Sequence, residues 1–211
     1  MKPLLLIGGG GHCLSCIDVI EAEEAFAIQG LVLPVGAARK PVLGYPVLGS
    51  DEDLANLVTK TRHAFITVGQ IKSADSRVRL FDILKKLDAE LPVIRSPNCY
   101  CSRHATVEPG SILMHASVVN AQSHIGLNCI VNSHALIEHG VNIGDHCHVS
   151  TGARINGDVT IGAGSFIGSG AVVKEGVVIG TGVVVGAGQV VLEDLPNDTR
   201  LTNRLGVSYA Q

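Results

Sequence analysis

The chain has 211 residues, enough for one or two domains with a sizeable core. Its formal net charge of −3 gives no basic footprint, so no nucleic-acid partner is expected. Hydrophobic residues make up 46% of the chain, yet no apolar run approaches the length of a membrane span; Met1 to Ile7 runs straight into glycines without a signal peptide's long apolar region, and a cytoplasmic protein is expected.

In chain order, Pro3 to Ile7 reads as a buried strand, Gly8 to Gly11 as a glycine turn, Cys16 to Ala22 as a helix and Ile28 to Leu33 as a second strand. That is a βαβ start, in which a phosphate can approach the N-terminus of the first helix. Gly8 and Gly10 fit a dinucleotide fingerprint, but Cys13 replaces its third glycine. Pro34 and Val35 stand where an acidic residue would hold a ribose, so a tightly bound NAD is not expected. Val35 to Ser50 reads as turn-rich, Asp51 to Lys60 as a short helix and His63 to Gly69 as a buried strand. Ser76 to Leu87 has a helical apolar pattern in Val78, Phe81, Ile83, Leu84 and Leu87, and Leu91 to Ile94 reads as one more strand. This alternation predicts a small, mainly parallel, Rossmann-like α/β domain over residues 1–97, bounded by Ser96-Pro97-Asn98.

Beyond that boundary the period changes. From Val107 to Pro196 the sequence divides into fifteen hexads, each opening on an aliphatic residue, at position 107 and every sixth residue to 191. The fifth position is mostly small or β-branched, as in Ser111, Ser117, Cys129, Ala135 and Ala171, and glycine is frequent second or fourth, where a turn is expected. Neither a helix nor an alternating strand has this period; a fixed repeat of six marks a parallel β-helix whose coils stack aliphatic on aliphatic. Cys101 to Thr106 reads as a degenerate first hexad, so the solenoid is assigned to residues 98–196, and 197–211 as a cap over its open end. The six cysteines are read as thiols. Cys13 and Cys16 have CxxC spacing but read as packing residues at a helix start, and Cys129 and Cys147, fifth in their hexads, as core.

Seven of the nine histidines lie between His104 and His148. A narrow β-helix core tolerates few polar groups, so these rings are expected to point outward or line a subunit interface, with His115, His124 and His146 the ones most readily read as solvated. Imidazole suits general-base work on an amine or hydroxyl attacking a thioester. A metal site built from His134, His139, His146 and His148 is the competing reading, but the spacing completes no known ligand pattern and no metal is expected.

The hexad run resembles that of the hexapeptide-repeat acyltransferases, which implies a left-handed β-helix with three hexads per triangular coil, five coils here, and residues eighteen apart stacked. With the glycine-turn domain added, essentially the whole chain resembles two groups of bacterial sugar acetyltransferases. One N-acetylates nucleotide-linked 4-amino sugars, as in bacillosamine synthesis. The other is the sialic acid biosynthesis group, which includes O-acetyltransferases and is similar over Leu136-Ile137-Glu138-His139-Gly140 and Asn156-Gly157-Asp158-Val159. The resemblance implies His139 as the base, Asn132 near the acceptor amine and His148 against the acetyl group of acetyl-CoA. It further implies coenzyme A contacts near Ser169 and Ala187, and sugar-nucleotide contacts from His12, Cys13, Leu14 and Gly69. It also implies a homotrimer with acetyl-CoA between adjacent β-helices, direct transfer without an acyl-enzyme, and no metal. The N-acetyltransferases carry a glutamate directly after the base, where this chain has Gly140. Glu138 or Asp158 is expected to orient His139 instead, and the departure leans towards the sialic acid group. The expectation is thus an acetyl-CoA-dependent acetyltransferase of a nucleotide-linked amino sugar or a sialic-acid-type sugar. The alternatives are a non-catalytic sugar-nucleotide-binding or scaffold protein, and a carbonic-anhydrase-like β-helix with zinc between subunits.

Overall fold

The structure is a computed structural model that describes residues 1–202. Its N-terminal part is a four-stranded, fully parallel sheet of β1 (Lys2–Ile7), β2 (Phe26–Leu33), β3 (Val47–Ser50) and β4 (His63–Ile66), in the order β3-β2-β1-β4. The helices are α1 (Gly11–Glu23), α2 (Leu54–Thr61), preceded by a single 3-10 turn at Asp51–Asp53, and α3 (Asp75–Lys86). The run Leu4-Leu5-Leu6-Ile7 is buried on both faces, as a central parallel strand requires. Leu4 and Leu6 pack towards Cys13, Cys16 and Ile17 of α1, while Leu5 and Ile7 pack towards Leu54 of α2 and Leu80, Phe81 and Leu84 of α3. Two elements depart from the sequence reading. Val47–Ser50, inside the turn-rich stretch, pairs with β2, its apolar character too short to stand out beside Gly44 and Pro46. The strand expected at the close of this domain is Ile94–Arg95, and it pairs with Ile112–Leu113 of the solenoid instead.

The rest is a left-handed parallel β-helix of two-residue strands in three sheets of seven, six and five strands. Strands pair with the residue eighteen positions on, as in Leu136↔Arg154 and Ile137↔Ile155, so each coil takes three hexads. The hexad-opening aliphatics from Leu113 to Val191 form one buried column with the fifth-position residues Cys129, Ala135, Val141, Cys147 and Ala153. All six cysteines are unpaired thiols, and Cys13, Cys16, Cys129 and Cys147 are buried. From Gly110 to Gly188 the fourth residue of each hexad lies in the left-handed region, occupied by glycine or by residues such as Asn128, His134, His146 and Asp158. Asn, Asp and His tolerate that conformation better than most residues with a Cβ, which explains part of the histidine pattern without chemistry. Second-position glycines do not turn the chain. They let coils approach: a Cβ at Gly168 would lie 2.5 Å from the backbone N of Ala187. Arg200–Leu201 pairs with Val184–Val185 at the open end; the remainder of the expected cap, 203–211, lies outside the described residues.

The two parts share a core. Ile94, Ile112, Met114 and Ile130 project from the seven-stranded sheet into the same cluster as Cys16, Ile17 and Ile20 of α1. Among the described residues no helix is long and apolar enough to cross a membrane.

Candidate active site

The junction between the parts holds a cleft of about 630 Å³. One wall is the start of α1, with Gly10, Gly11, His12 and Ser15; another is the segment after β4, Val68 to Ile71; the third is the β-helix, with Asn132, Ser133, His148 and Thr151. The N-cap of α1 is Gly10, with no side chain capping the helix; the Cys13 N–H bonds Gly10 O at 2.9 Å, which leaves the Gly11 and His12 N–H groups available to an anion. Gly8, at φ +115°, makes the turn, and a Cβ there would meet Val68 at 2.7 Å. Thr67 locks the turn to β4 by donating its hydroxyl proton to Gly8 O at 2.8 Å.

His148 lies on the outer row of the seven-stranded sheet but is only 6% exposed, because the α/β part covers it. Its Nδ1 is 2.7 Å from Gln70 O, an acceptor only, so Nδ1 carries the proton. Its Nε2 lies 3.1 Å from Nδ2 of Asn132, which donates to it. The Asn132 Oδ1 in turn accepts the N–H of Ser133 at 2.8 Å. Phe166 meets the His148 ring edge to face, and the His12 ring is 6.3 Å away. Burial, with the Arg77 guanidinium nearby, holds His148 down at about 4, against the opposing pull of the Gln70 carbonyl. Burial does the same to His12, at about 3, helped by Arg77 and His148. Among the described residues His12 Nε2 has no hydrogen-bond partner. Both rings are therefore neutral, preorganised groups at physiological pH.

The histidines do not all face outward. His148 is buried at the junction, His115 sits 2.8 Å from Asp18 of α1, and His146 packs edge-on against Phe81 of α3. The covering domain buries His148 and half-buries His115 and His146, a tertiary effect that hexad arithmetic does not carry. His134, His139 and His146 fall on three different corners of the coil, and among the described residues no group of three or more His, Cys, Asp or Glu is placed to hold a metal ion.

The expected site residues fall into three groups. His12, Gly69, Asn132 and His148 meet at the cleft. Ser169 and Ala187 lie eighteen and thirty-six residues beyond Thr151, exposed on the same corner, and so continue one wall of the cleft along the solenoid. Ser169 Oγ is 3.0 Å from Ser150 Oγ. Cys13 instead is fully buried in the α1 core, and Leu14 is 46% exposed beside it. The third group is at the next corner. The exposed His139 has its Nδ1 4.0 Å from Asp158 Oδ1, beyond hydrogen-bond reach. The Asp158 carboxylate fills the space that a side chain on Gly140 would need. Glu138 is turned to the coil below, where its Oε2 accepts from Asn120 Nδ2 at 3.0 Å. Of the two carboxylates considered as partners of His139, Asp158 is therefore the one beside the ring. Ser15 and Gln70 line the cleft and carry no motif in the sequence.

Three family models match the chain: the PglD N-terminal domain over residues 3–82, the hexapeptide repeat of succinyl-transferase over 123–156, and the bacterial transferase hexapeptide (six repeats) over 158–191. A comparison with curated proteins returned no match. Among solved structures, PerB from Caulobacter crescentus, in complex with CoA and GDP-perosamine, is 30% identical with a TM-score of 0.86, over 93% of this chain and 92% of that one. A variant of the perosamine N-acetyltransferase from the same organism, with one histidine replaced by asparagine and the same ligands bound, is 29% identical over 93% and 91%, with a TM-score of 0.87. The acetyltransferase domain of PglB from Neisseria gonorrhoeae, in complex with acetyl coenzyme A, is 28% identical over 93% and 94%, with a TM-score of 0.83. With a PglD-type domain followed by hexapeptide repeats, and this likeness running through nearly its whole length, the chain belongs to the hexapeptide-repeat sugar acetyltransferase family.

Proposed function

We propose that the protein transfers the acetyl group of acetyl-CoA to the amine of a nucleoside-diphosphate-linked amino sugar in the cytoplasm. The observation that carries this reading is the cleft in which the open start of α1 faces the neutral His148–Asn132 pair. The helix start suits a pyrophosphate, and the column through Thr151, Ser169 and Ala187 offers a path for the pantetheine arm. The relatives that bind CoA together with GDP-perosamine support an amino-sugar acceptor over a sialic-acid-type one.

Within one chain His139 and the cleft occupy successive corners of the coil, so we place the working site between copies of a homotrimer, where the His139 corner of one copy faces the cleft of the next. His139 then takes a proton from the acceptor amine as its nitrogen attacks the thioester carbonyl. The tetrahedral intermediate collapses to the amide as the carbon–sulfur bond breaks, and the departing coenzyme A thiolate takes up the proton that His139 had accepted. Asp158, closing on Nδ1 from its 4.0 Å separation, would hold the ring with Nε2 free to accept. Asn132 and His148 orient the acceptor amine and the acetyl group, and Ser169 and Ala187 bind coenzyme A largely through backbone.

The test is coenzyme A release from acetyl-CoA with a panel of nucleotide-linked 4-amino sugars and sialic acids, for wild type and His139→Ala. Turnover on an amino sugar that is lost in the variant is expected. Turnover on sialic acid alone would move the acceptor to a hydroxyl, and failure to bind acetyl-CoA would leave a sugar-nucleotide-binding scaffold.

A further inference from the structure

Arg77 is 1% exposed, and among the described residues its guanidinium meets no carboxylate. It donates instead to neutral acceptors on two separate parts of the fold. Nη1 reaches Val68 O at 2.7 Å and Ile66 O at 3.3 Å, on the segment that leaves β4. Nη2 reaches the backbone O of Asn128 at 2.8 Å and its Oδ1 at 2.5 Å, on a β-helix corner. Asn128, itself fully buried, donates back to Arg77 O at 3.3 Å and is 3.0 Å from His146 Nδ1. Arg77 Nε has no partner among the described residues. A buried cation without an anion is costly, and an apolar residue on this face of α3 would serve packing alone at lower cost. A lysine could not reproduce the two-sided fork.

The segment that Arg77 grips is the one that sets His148. Two residues beyond Val68, Gln70 presents its backbone O to His148 Nδ1, while its side-chain Nε2 donates to Gly164 O at 3.2 Å. We propose that Arg77 is a positioning residue for the acetyl-transfer site: it ties the Val68–Gln70 segment to the Asn128 corner and so dictates which nitrogen of His148 faces Asn132. The assignment rests on the function proposed above only in its consequence for turnover. Among the described residues, the charged or titratable groups facing His148 are His12 from α1 and Arg77 from α3.

The experiment uses the full chain with Arg77→Lys, His148→Asn and the double variant. Nitrogen-15 NMR of the histidines reads the His148 tautomer, independently of any acceptor. Wild type is expected to show a single tautomer protonated on Nδ1; Arg77→Lys is expected to show a mixture of tautomers. Coenzyme A release should fall roughly 10–100-fold in kcat/KM for Arg77→Lys, a loss of the size that small misplacements give. In the double variant that loss should largely vanish against His148→Asn alone, because the two substitutions act through one group. An unmixed Nδ1-protonated tautomer in Arg77→Lys, or losses that simply add, would overturn the assignment. If Arg77→Lys fails to unfold cooperatively, Gln70→Ala removes the segment's other anchor and should mix the tautomers likewise; an unmixed His148 there also overturns it. Wild type without turnover but with the expected tautomers would count against the proposed reaction and leave the positioning role standing.

Discussion

Replacing Gly157 by alanine should separate activity from stability. Gly157 lies beneath the His139 ring, and a methyl there would come within 2.6 Å of Cε1, 2.9 Å of Nε2 and 3.3 Å of Nδ1. Carbon contacts settle near 3.5–4.0 Å, so the imidazole must retreat by about 1 Å. Nothing else need move: Gly157 is not among the residues with positive φ, and the crowded group is the tip of a side chain 67% exposed. Stability should change by less than about 1 kcal/mol, since the alanine also restricts the unfolded chain. A base displaced by that distance should lower kcat about 100-fold, or about 2.7 kcal/mol of barrier. Coenzyme A release under saturating substrates, beside thermal unfolding of the same preparation, makes the comparison. Wild-type kcat in a folded Gly157→Ala protein would refute the placement of His139 as the base.

Gly168→Ala should behave in the opposite way, because its Cβ would lie 2.5 Å from the Ala187 backbone N, which cannot swing aside; a loss of about 1–3 kcal/mol in urea unfolding is expected, and none would show that the coils can part. Ile155→Ala, in the fully buried column between Ile137 and Val173, should cost about 2–5 kcal/mol by the same measurement, and a cost below that range would mean the column collapses around the gap. The pH dependence follows from His12 and His148. Both are held below their ordinary 6.5, at about 3 and about 4, so the unfolded chain takes up protons that the native state refuses. Stability should be full above pH 6.5 and fall as the pH drops towards 4 for His148 and 3 for His12, by up to about 1.4 kcal/mol per pH unit for each ring. Unfolding curves that coincide at pH 7 and pH 5 would contradict the burial of both rings.

The solenoid was legible because every coil repeats the same demand: an aliphatic residue inward, a small one beside it, and every sixth residue from Val107 to Val191 supplies the first. The glycine turn and the strand β1 were legible for a similar reason, since a run such as Leu4 to Ile7 has no use outside a two-sided core. The cleft was legible only in pieces. His12, Gly69, Asn132 and His148 came from family resemblance, and nothing local says that Gln70 offers its carbonyl to His148 across 78 residues. Arg77 left one readable sign: it lies four residues before Phe81 and seven before Leu84, on the buried stripe of α3. A charge in that stripe needs partners from another element, and Asn128 could be found only in three dimensions. The burial of His148 and the partial cover of His115 and His146 were likewise invisible, because they depend on which solenoid face the first domain covers.

That cover has a consequence for how the molecule can change length. The α/β part packs on the outward row of the seven-stranded sheet through Ile94, Ile112 and Ile130 and screens His148, whereas on the other two sheets Val178 and Val190 stand about half exposed. The coil is a ruler marked every eighteen residues: inserting or deleting six keeps the aliphatic column inward but turns the coils beyond it to another face, and only whole marks keep each face in line. Removing or adding a mark among the early coils would slide Asn132 or His148 away from Gln70 and dismantle the cleft. Past Ala187 the ruler can grow by a full mark and leave every group around the cleft where it stands, so variation in the number of coils should be confined to that end.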